Sequence, residues 1–397
     1  MRPDLLFPIF QAILWLGVAA LFWRMPDLQA RGLAFGVRIP PERAGDPAVV
    51  AVRQRYRRGV AASAALAAAG WLAVLGTGWG GAAGQTLAAS GAGLGFLLLA
   101  TLAYVAAHRR LAAVKAQEGW LAASPRAAVA ETRPRGAGEI RWAWFAPALA
   151  VLLATLALGL WVYPHLPARI PMHIDAAGRV DSWATKSYGS ALTPVWVQLF
   201  LTLVVGGVAA LVPSAPLRLD PGEPEESLRR QLLFRRRMVA ALGVVAAGAN
   251  LTALLLGLVV WGWLPPSYAA LSVLPTLLAV LVMLGVTFSL GQEGSRLRPA
   301  RRPPSAEGRG AAATAPAPAP APAHAPAPAP APAPADDDRY WWGGLVYVNR
   351  DDPSFLVSKR FGVGWTVNFG HPLGWLFAAL VLGSIAVAVA LPLLAGR

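Results

Sequence analysis

The sequence predicts an all-α integral membrane protein of about eight transmembrane helices, with a small extracytoplasmic β-hairpin and a small cytoplasmic β-meander. Three observations predict it. The 397-residue chain is 56% hydrophobic and only 14% charged, far from the composition of soluble domains. Eight segments stay apolar over the roughly 20 residues that a helix needs to cross hydrocarbon. Basic residues gather in alternate loops, the pattern that orients helices across a bilayer.

The spans lie near 5–23, 59–79, 86–107, 143–163, 191–212, 239–263, 267–290 and 373–394. The second and third are rich in Ala and Gly, which permits close helix packing in lipid. No small-residue cleavage site precedes Arg24, and positive charge follows the first apolar run. That run reads as a retained span rather than a cleaved leader.

Of the 35 Lys and Arg, the loops 24–58, 108–142, 213–238 and 291–372 hold 8, 7, 6 and 9. Basic residues mark the cytoplasmic side, so both termini and the 164–190 loop are expected to be extracytoplasmic. The use of 32 Arg against 3 Lys, with abundant Ala, Gly and Pro, suggests a GC-rich bacterial genome and hence a bacterial plasma membrane. The net charge of +15 is then a topology signal with attraction to membrane lipid as its consequence, and nucleic acid is not an expected partner. With no cysteine, disulfides, thiolate metal sites and thiol nucleophiles are excluded.

Five regions follow: 1–142, three spans with basic loops; 143–290, four spans and an outer hairpin at 166–187; 291–335, a linker; 336–372, an aromatic module; and 373–397, the last span. In the first region Asp46 and Pro47 stand at N-cap and first helical positions, and Val49, Val52 and Tyr56 follow at helical spacing, predicting a short surface helix that runs into the second span. Its Arg53, Arg55, Arg57 and Arg58 would lie at headgroup level. The 213–238 loop repeats the plan, with Glu223, Glu225 and Glu226 early and Arg229, Arg230 and Arg235 to Arg237 later, signs that complement the helix dipole. The Ala-Pro repeat from Ala315 to Pro334, interrupted by His324, has too few backbone donors for helix or sheet and predicts an extended tether.

Beyond the tether, Leu345 to Asn349, Phe355 to Lys359 and Trp365 to Phe369 alternate like strands, predicting a three-stranded meander too small to fold alone. Its Tyr340, Trp341, Trp342, Phe355, Trp365 and Phe369 are expected as anchors at the membrane interface or against the helices.

Between the fourth and fifth spans, LPARIPMHIDAAGRVDSWATKS (166–187) reads as a hairpin. Ile170 to Ile174 alternates, Asp175 to Gly178 supplies a turn, and Pro167 and Pro171 limit strand pairing. Ile170, Met172 and Ile174 would then face one way and His173 and Asp175 the other. His173, Asp175, Asp181 and Lys186, with or without His165, are too few and too spread to hold a divalent metal. Ser182 or Ser187 near His173 is a chance pairing rather than a hydrolytic set. Hydrogen bonds and ion pairs that close the hairpin explain these residues best, and the surface so shaped remains free to meet a partner. No catalytic, cofactor or metal assignment follows.

The spacing of Pro167, Ile170, Pro171, His173, Gly178, Asp181 and Lys186 within twenty residues closely resembles the extracytoplasmic motif of the SdpI-like bacterial membrane family, over roughly 143–290. That resemblance implies an immunity or signal protein that meets a secreted peptide toxin or envelope ligand outside and a regulator protein inside. Tyr340, Trp341, Tyr347, Asn349, Asp352, Pro353, Lys359, Arg360, Gly362, Gly364 and Asn368 resemble a second, uncharacterised module found with such proteins. The extra N-terminal spans and the tether depart from a typical immunity protein. Two of the three lysines, Lys186 and Lys359, fall inside these motifs, a hint that a compact ammonium matters there.

A binding or sensory protein is therefore the leading expectation, and a passive transporter or lipid-handling protein is the alternative. Proton or sodium coupling needs ionisable groups within the spans. The eight cores offer only Gln11, Gln198 and Asn250 as larger polar groups. No nucleotide, metal or nucleophile motif rises above chance, so an enzyme is not expected.

Overall fold

The computed structural model describes residues 3–78, 81–120, 126–127, 140–174, 180–217, 219, 223–297, 333–334, 337–379 and 382–383. Among them the chain is mostly helical, and six helices are long and apolar enough to cross a membrane. These six correspond to the second through seventh expected spans. The first expected span lies within α1 (Pro3–Leu28), part of whose side chains fall outside the described set. The last begins as a helix at 372–379, and most of its remainder lies outside the described residues. Large apolar side chains project outward along the helices, among them Leu66, Leu98, Leu153, Phe200, Leu203 and Leu278. An apolar exterior of this kind is what hydrocarbon, rather than water, covers.

Helix α2 (Pro47–Thr77) begins where the sequence predicts, with the Asp46 carboxylate accepting from the Ala48 N–H at 2.9 Å and Pro47 in the first turn. Val49, Val52 and Tyr56 are buried. The expected surface helix, however, is not a separate element. It is the opening of one continuous helix of 31 residues, because no Gly or Pro interrupts it before Gly59 and its buried stripe continues through Val60. Helix α7 (Pro224–Val260) corrects the 213–238 expectation in the same way. Its 37 residues make a rod of about 55 Å at 1.5 Å per residue, well beyond the hydrocarbon thickness.

Two helical groups result. In the first, α2 packs antiparallel against α3 (Gly81–Gln117), and α1 lies beside both. In the second, α7 is central and contacts α4 (Ala146–Val162), α6 (Thr193–Leu211) and α8 (Leu274–Leu290). Small residues make those crossings close: a Cβ on Gly248 would stand 2.7 Å from the Pro275 carbonyl oxygen of α8. Gln198 and Asn250, the polar groups that the sequence singles out, meet in this group. The Gln198 amide donates to the Thr155 hydroxyl and to the Asn250 carbonyl, each at 2.8 Å, while the Asn250 side chain donates to the Ala148 carbonyl and the Thr202 hydroxyl, each at 2.9 Å. Helices α4, α6 and α7 are thereby cross-linked inside an apolar bundle.

The strands are short and form two-stranded sheets. Strands β1 (Leu33–Ala34) and β2 (Val37–Arg38) pair through a Phe35-Gly36 turn in which both residues have positive φ, 48° and 75°. This is the backbone that a two-residue hairpin demands. Strand β3 (Arg126–Ala127) forms a two-residue parallel ladder with β6 (Ala333–Pro334). The expectation that the Ala-Pro repeat forms no sheet fails at that one point, where alternate Ala residues still supply donors. The rest of the repeat lies outside the described residues. Strands β4 (Arg169–Ile174) and β5 (Val180–Thr185) form the expected antiparallel hairpin; its turn at 175–179, including Asp175 and Gly178, lies outside the described residues.

The three-stranded meander is not what forms at the C-terminal side. Strand β8 (Val346–Tyr347) pairs backward with β7 (Trp341–Trp342), while β9 (Leu356–Ser358) pairs with β10 (Trp365–Val367). Gly343 and Gly344, both at positive φ, permit a turn tight enough for Trp341 and Tyr347 to pair locally before the chain reaches 355. A parallel bridge between Tyr347 and Asn368 joins the two hairpins.

Candidate functional site

The two motif regions lie at opposite ends of the helices. The β4/β5 hairpin connects the end of α4 to the start of α6, whereas the C-terminal module meets the start of α7 and the end of α8.

At the hairpin end, Ile170 is 0% exposed and packs with Val162, Leu166, Ala191 and Trp261. The Trp261 indole donates to the Ala191 carbonyl at 2.9 Å, tying the hairpin base to the end of α7. Met172 is exposed, so the expected common face of Ile170, Met172 and Ile174 is not uniformly covered. The reason lies in the register: pairing shifts between Pro171 and His173 and again between His173 and Ile174. Met172 and Asp181 fall at these irregularities, and such bulges redirect neighbouring side chains. The backbones of His173, Ile174 and Asp181 are described but their side chains are not, so the expected face of His173 and Asp175 lies outside the described residues.

Lys186 is a clamp. Its Nζ donates to the Pro164 carbonyl at 3.1 Å and the Leu166 carbonyl at 2.9 Å, and stands 5.1 Å from the centre of the Tyr163 ring. Tyr163 in turn stacks on Tyr188 at 3.9 Å. A single ammonium thus satisfies carbonyls left open where α4 ends, beside Pro167. Ser187 caps the short α5 (Tyr188–Ala191) in a reciprocal pair with Ser190, which occupies the hydroxyl in structure. Lys186→Ala is expected to lower stability by about 1.5 kcal/mol, the low end of the range for hydrogen bonds to charged groups, because one of its two bonds is exposed. Lys186→Arg should recover only part of it. Unfolding of the purified protein in one detergent, with wild type alongside, measures both.

At the other end the module is a wedge between the two helical groups. Arg360, 2% exposed, donates to the Gly36 carbonyl and to both Asp337 and Asp338, and lies over the Trp341 ring at 5.0 Å. Lys115 reaches Asp338 at 2.6 Å and Arg38 reaches Asp337 at 3.0 Å. Three cations from three parts of the chain therefore converge on two carboxylates. Burial pulls the Arg360 guanidinium below its ordinary range, and the two aspartates oppose that shift. Next to it, Phe361 enters the first helical group, 4.3 Å from Tyr104 and 5.5 Å from Phe22 between ring centres.

The neighbouring loop meets the second group. Gln292 pairs doubly with the Gly364 backbone, donating at 2.9 Å and accepting at 2.7 Å, and Trp365 packs on Phe234 at 5.3 Å. Gly362 and Gly364, at φ of 86° and 109°, give the loop a path closed to other residues. Gln29 donates to the Arg360 carbonyl at 3.0 Å and accepts from Phe35 N–H at 2.7 Å. Gly36 must be Gly, since a Cβ there would lie 2.7 Å from the Tyr104 hydroxyl.

Inside the module, Asn368 is the hub. Fully buried, it donates to the carbonyls of Asn349, Asp352 and Ser354 at 2.9, 3.1 and 3.2 Å and accepts from the N–H groups of Asn349 and Gly370 at 3.1 and 2.8 Å. Tyr347 donates to Asp352 at 2.9 Å, and Asn349 donates to Tyr347 at 3.2 Å. Tyr340 and Trp341 pack on Tyr347. The module's motif residues are thus brought together, apart from exposed Pro353 and from Lys359. The Lys359 ammonium makes no hydrogen bond or ion pair among the described residues, and burial lowers its pKa. Trp365, partly buried, packs against α7 through Phe234, the helix contact that the sequence allowed for, whereas Trp341 is buried within the module on Tyr347. Trp342 stays exposed.

Sequence reasoning missed the docking partners Gln29, Arg38, Lys115, Gln292, Asp337 and Asp338. One signal was available: an Asp-Asp-Asp-Arg run at 336–339 in a chain with only 20 acidic residues.

Residues 150–197, from within α4 through the hairpin into α6, match a domain of unknown function, DUF1648. Residues 350–375, the second half of the module, match a family of unknown function, DUF5808. No curated protein and no solved structure matches the chain.

Proposed function

We propose that this is a multi-pass bacterial plasma-membrane protein of the SdpI-like kind that binds a peptide or envelope ligand through its outer hairpin and presents its wedge end to a cytoplasmic regulator. The observation that carries the reading is α7. One uninterrupted helix holds the hairpin base through Trp261 and the wedge through Phe234, so that a displacement at one end has a rigid route to the other. The bulged register at His173 and Asp181 supports a shaped surface rather than a regular sheet edge.

Deleting the gene and challenging cells with a panel of membrane-active peptides tests the binding role. Increased sensitivity to at least one peptide, restored by wild type but not by His173→Ala at equal membrane abundance, is expected. Unchanged sensitivity across the panel would remove the immunity reading. Orientation has its own test: single cysteines placed at Ala176 and Ala306 should label from outside and inside respectively, and labelling from one side would overturn the assignment of both termini to the outside.

A further inference from the structure

We infer that the cleft between α2 and α3 is a binding site for one anionic phospholipid. The cleft holds about 390 Å³, within the range of roughly 300–1,000 Å³ typical of small-ligand sites. Its rim carries Arg55 and Arg58 from α2 and Arg110 from α3, while Ala62, Ala103 and Ala106 line it toward the middle of the helices. The antiparallel pairing sets this order, since Gly59 faces Ala103 at a would-be Cβ distance of 3.2 Å. The basic groups therefore lie nearer the helix ends than the alanines do.

Among the described residues the charge there is uncompensated. Arg55, Arg58 and Arg110 have no ion-pair partner among the described residues, whereas neighbouring Arg57 pairs with Asp27 at 2.7 Å. All three are exposed. Guanidinium groups recognise phosphate oxygens by charge and by paired N–H donors. A basic pocket between membrane helices that opens onto small apolar side chains suits a phosphate head with one acyl chain beneath it. A soluble phosphate would leave the alanine floor unused, so the occupant is a lipid.

The test uses full-length protein in phosphatidylcholine nanodiscs, titrated with phosphatidylglycerol and read by native mass spectrometry. Saturable binding of phosphatidylglycerol is expected, with glycerol 3-phosphate failing to displace it. Joint replacement Arg58→Gln and Arg110→Gln should weaken binding about thirtyfold. Arg236→Gln with Arg237→Gln removes the same charge from exposed positions on α7 and should change it less than about twofold. Ala106→Trp fills the floor at constant charge and should weaken binding about tenfold. Equal losses in the two arginine pairs, unchanged binding in Ala106→Trp, or displacement by glycerol 3-phosphate would overturn the site. Should the Arg58 and Arg110 variant unfold, the Ala106 arm decides alone.

Discussion

Arg360→Ala is expected to release the C-terminal module from the helices. Removing one member of a buried ion pair costs about 3–5 kcal/mol. Arg38 and Lys115 stay beside Asp337 and Asp338, so the loss should fall near the lower figure, roughly 3 kcal/mol. A loss of that size shifts a docking equilibrium by about two orders of magnitude. Limited trypsin digestion in detergent reads the shift, because the partly buried Lys359 lies in the wedge. Rapid cleavage after Lys359 in the variant, with protection in wild type, is the expected result. Equal protection in both would mean that docking rests on Phe361, Trp365 and Gln292 instead. Pairing Arg360→Ala with Asp338→Asn should give less than the sum of the single effects, since both remove the same contact.

Asn368→Ala is expected to unfold the module itself. The side chain makes five hydrogen bonds to backbone groups, and each group left buried without a partner costs about 1–3 kcal/mol. Water entering the vacated space will satisfy some of them, so a net loss of about 3–5 kcal/mol is reasonable. Asn368→Asp sharpens the test. It keeps the shape but sets a carboxylate against three carbonyl oxygens, which raises the folded pKa of the new group above its unfolded value. A raised folded pKa contributes stability below the unfolded pKa and loses it as pH rises through the folded one. The Asp variant should therefore be least stable near neutral pH and recover partly on acidification, while the Ala variant shows no such recovery. Circular dichroism and tryptophan fluorescence, to which Trp341, Trp342 and Trp365 of the module contribute among the chain's 16 Trp, follow both. Matching pH profiles for the two variants would exclude the proposed polarity of the hub.

Local chemistry decided what could be read in advance. The Asp46-Pro47 cap, the buried face of Val49, Val52 and Tyr56, and the β4/β5 hairpin are each set by neighbours a few residues away, and each formed. Gln198 and Asn250 stood out as the polar residues of their spans, and the structure joins them. What was illegible depends on distance along the chain. Nothing beside Gln292 or Phe35-Gly36 in the chain marks them, because their partners Gly364 and Arg360 lie 72 and 324 residues away from Gln292 and Gly36 respectively. The meander failed for the opposite reason: two glycines made a nearer pairing available. At the hairpin, the sequence singles out Lys186, but its bonds to the Pro164 and Leu166 carbonyls depend on where α4 ends.

The hydrogen bond from Gln29 to the Arg360 carbonyl joins residues 331 apart. At about 5–20 residues per second of synthesis, Gln29 waits on the order of 15–65 s for its partner to be made. Until then the space between Tyr104 and Phe22 that the Phe361 ring occupies has no occupant from that part of the chain. A chain that ends before Arg360 lacks both the partner of Gln29 and the ring that fills the space beside Tyr104 and Phe22.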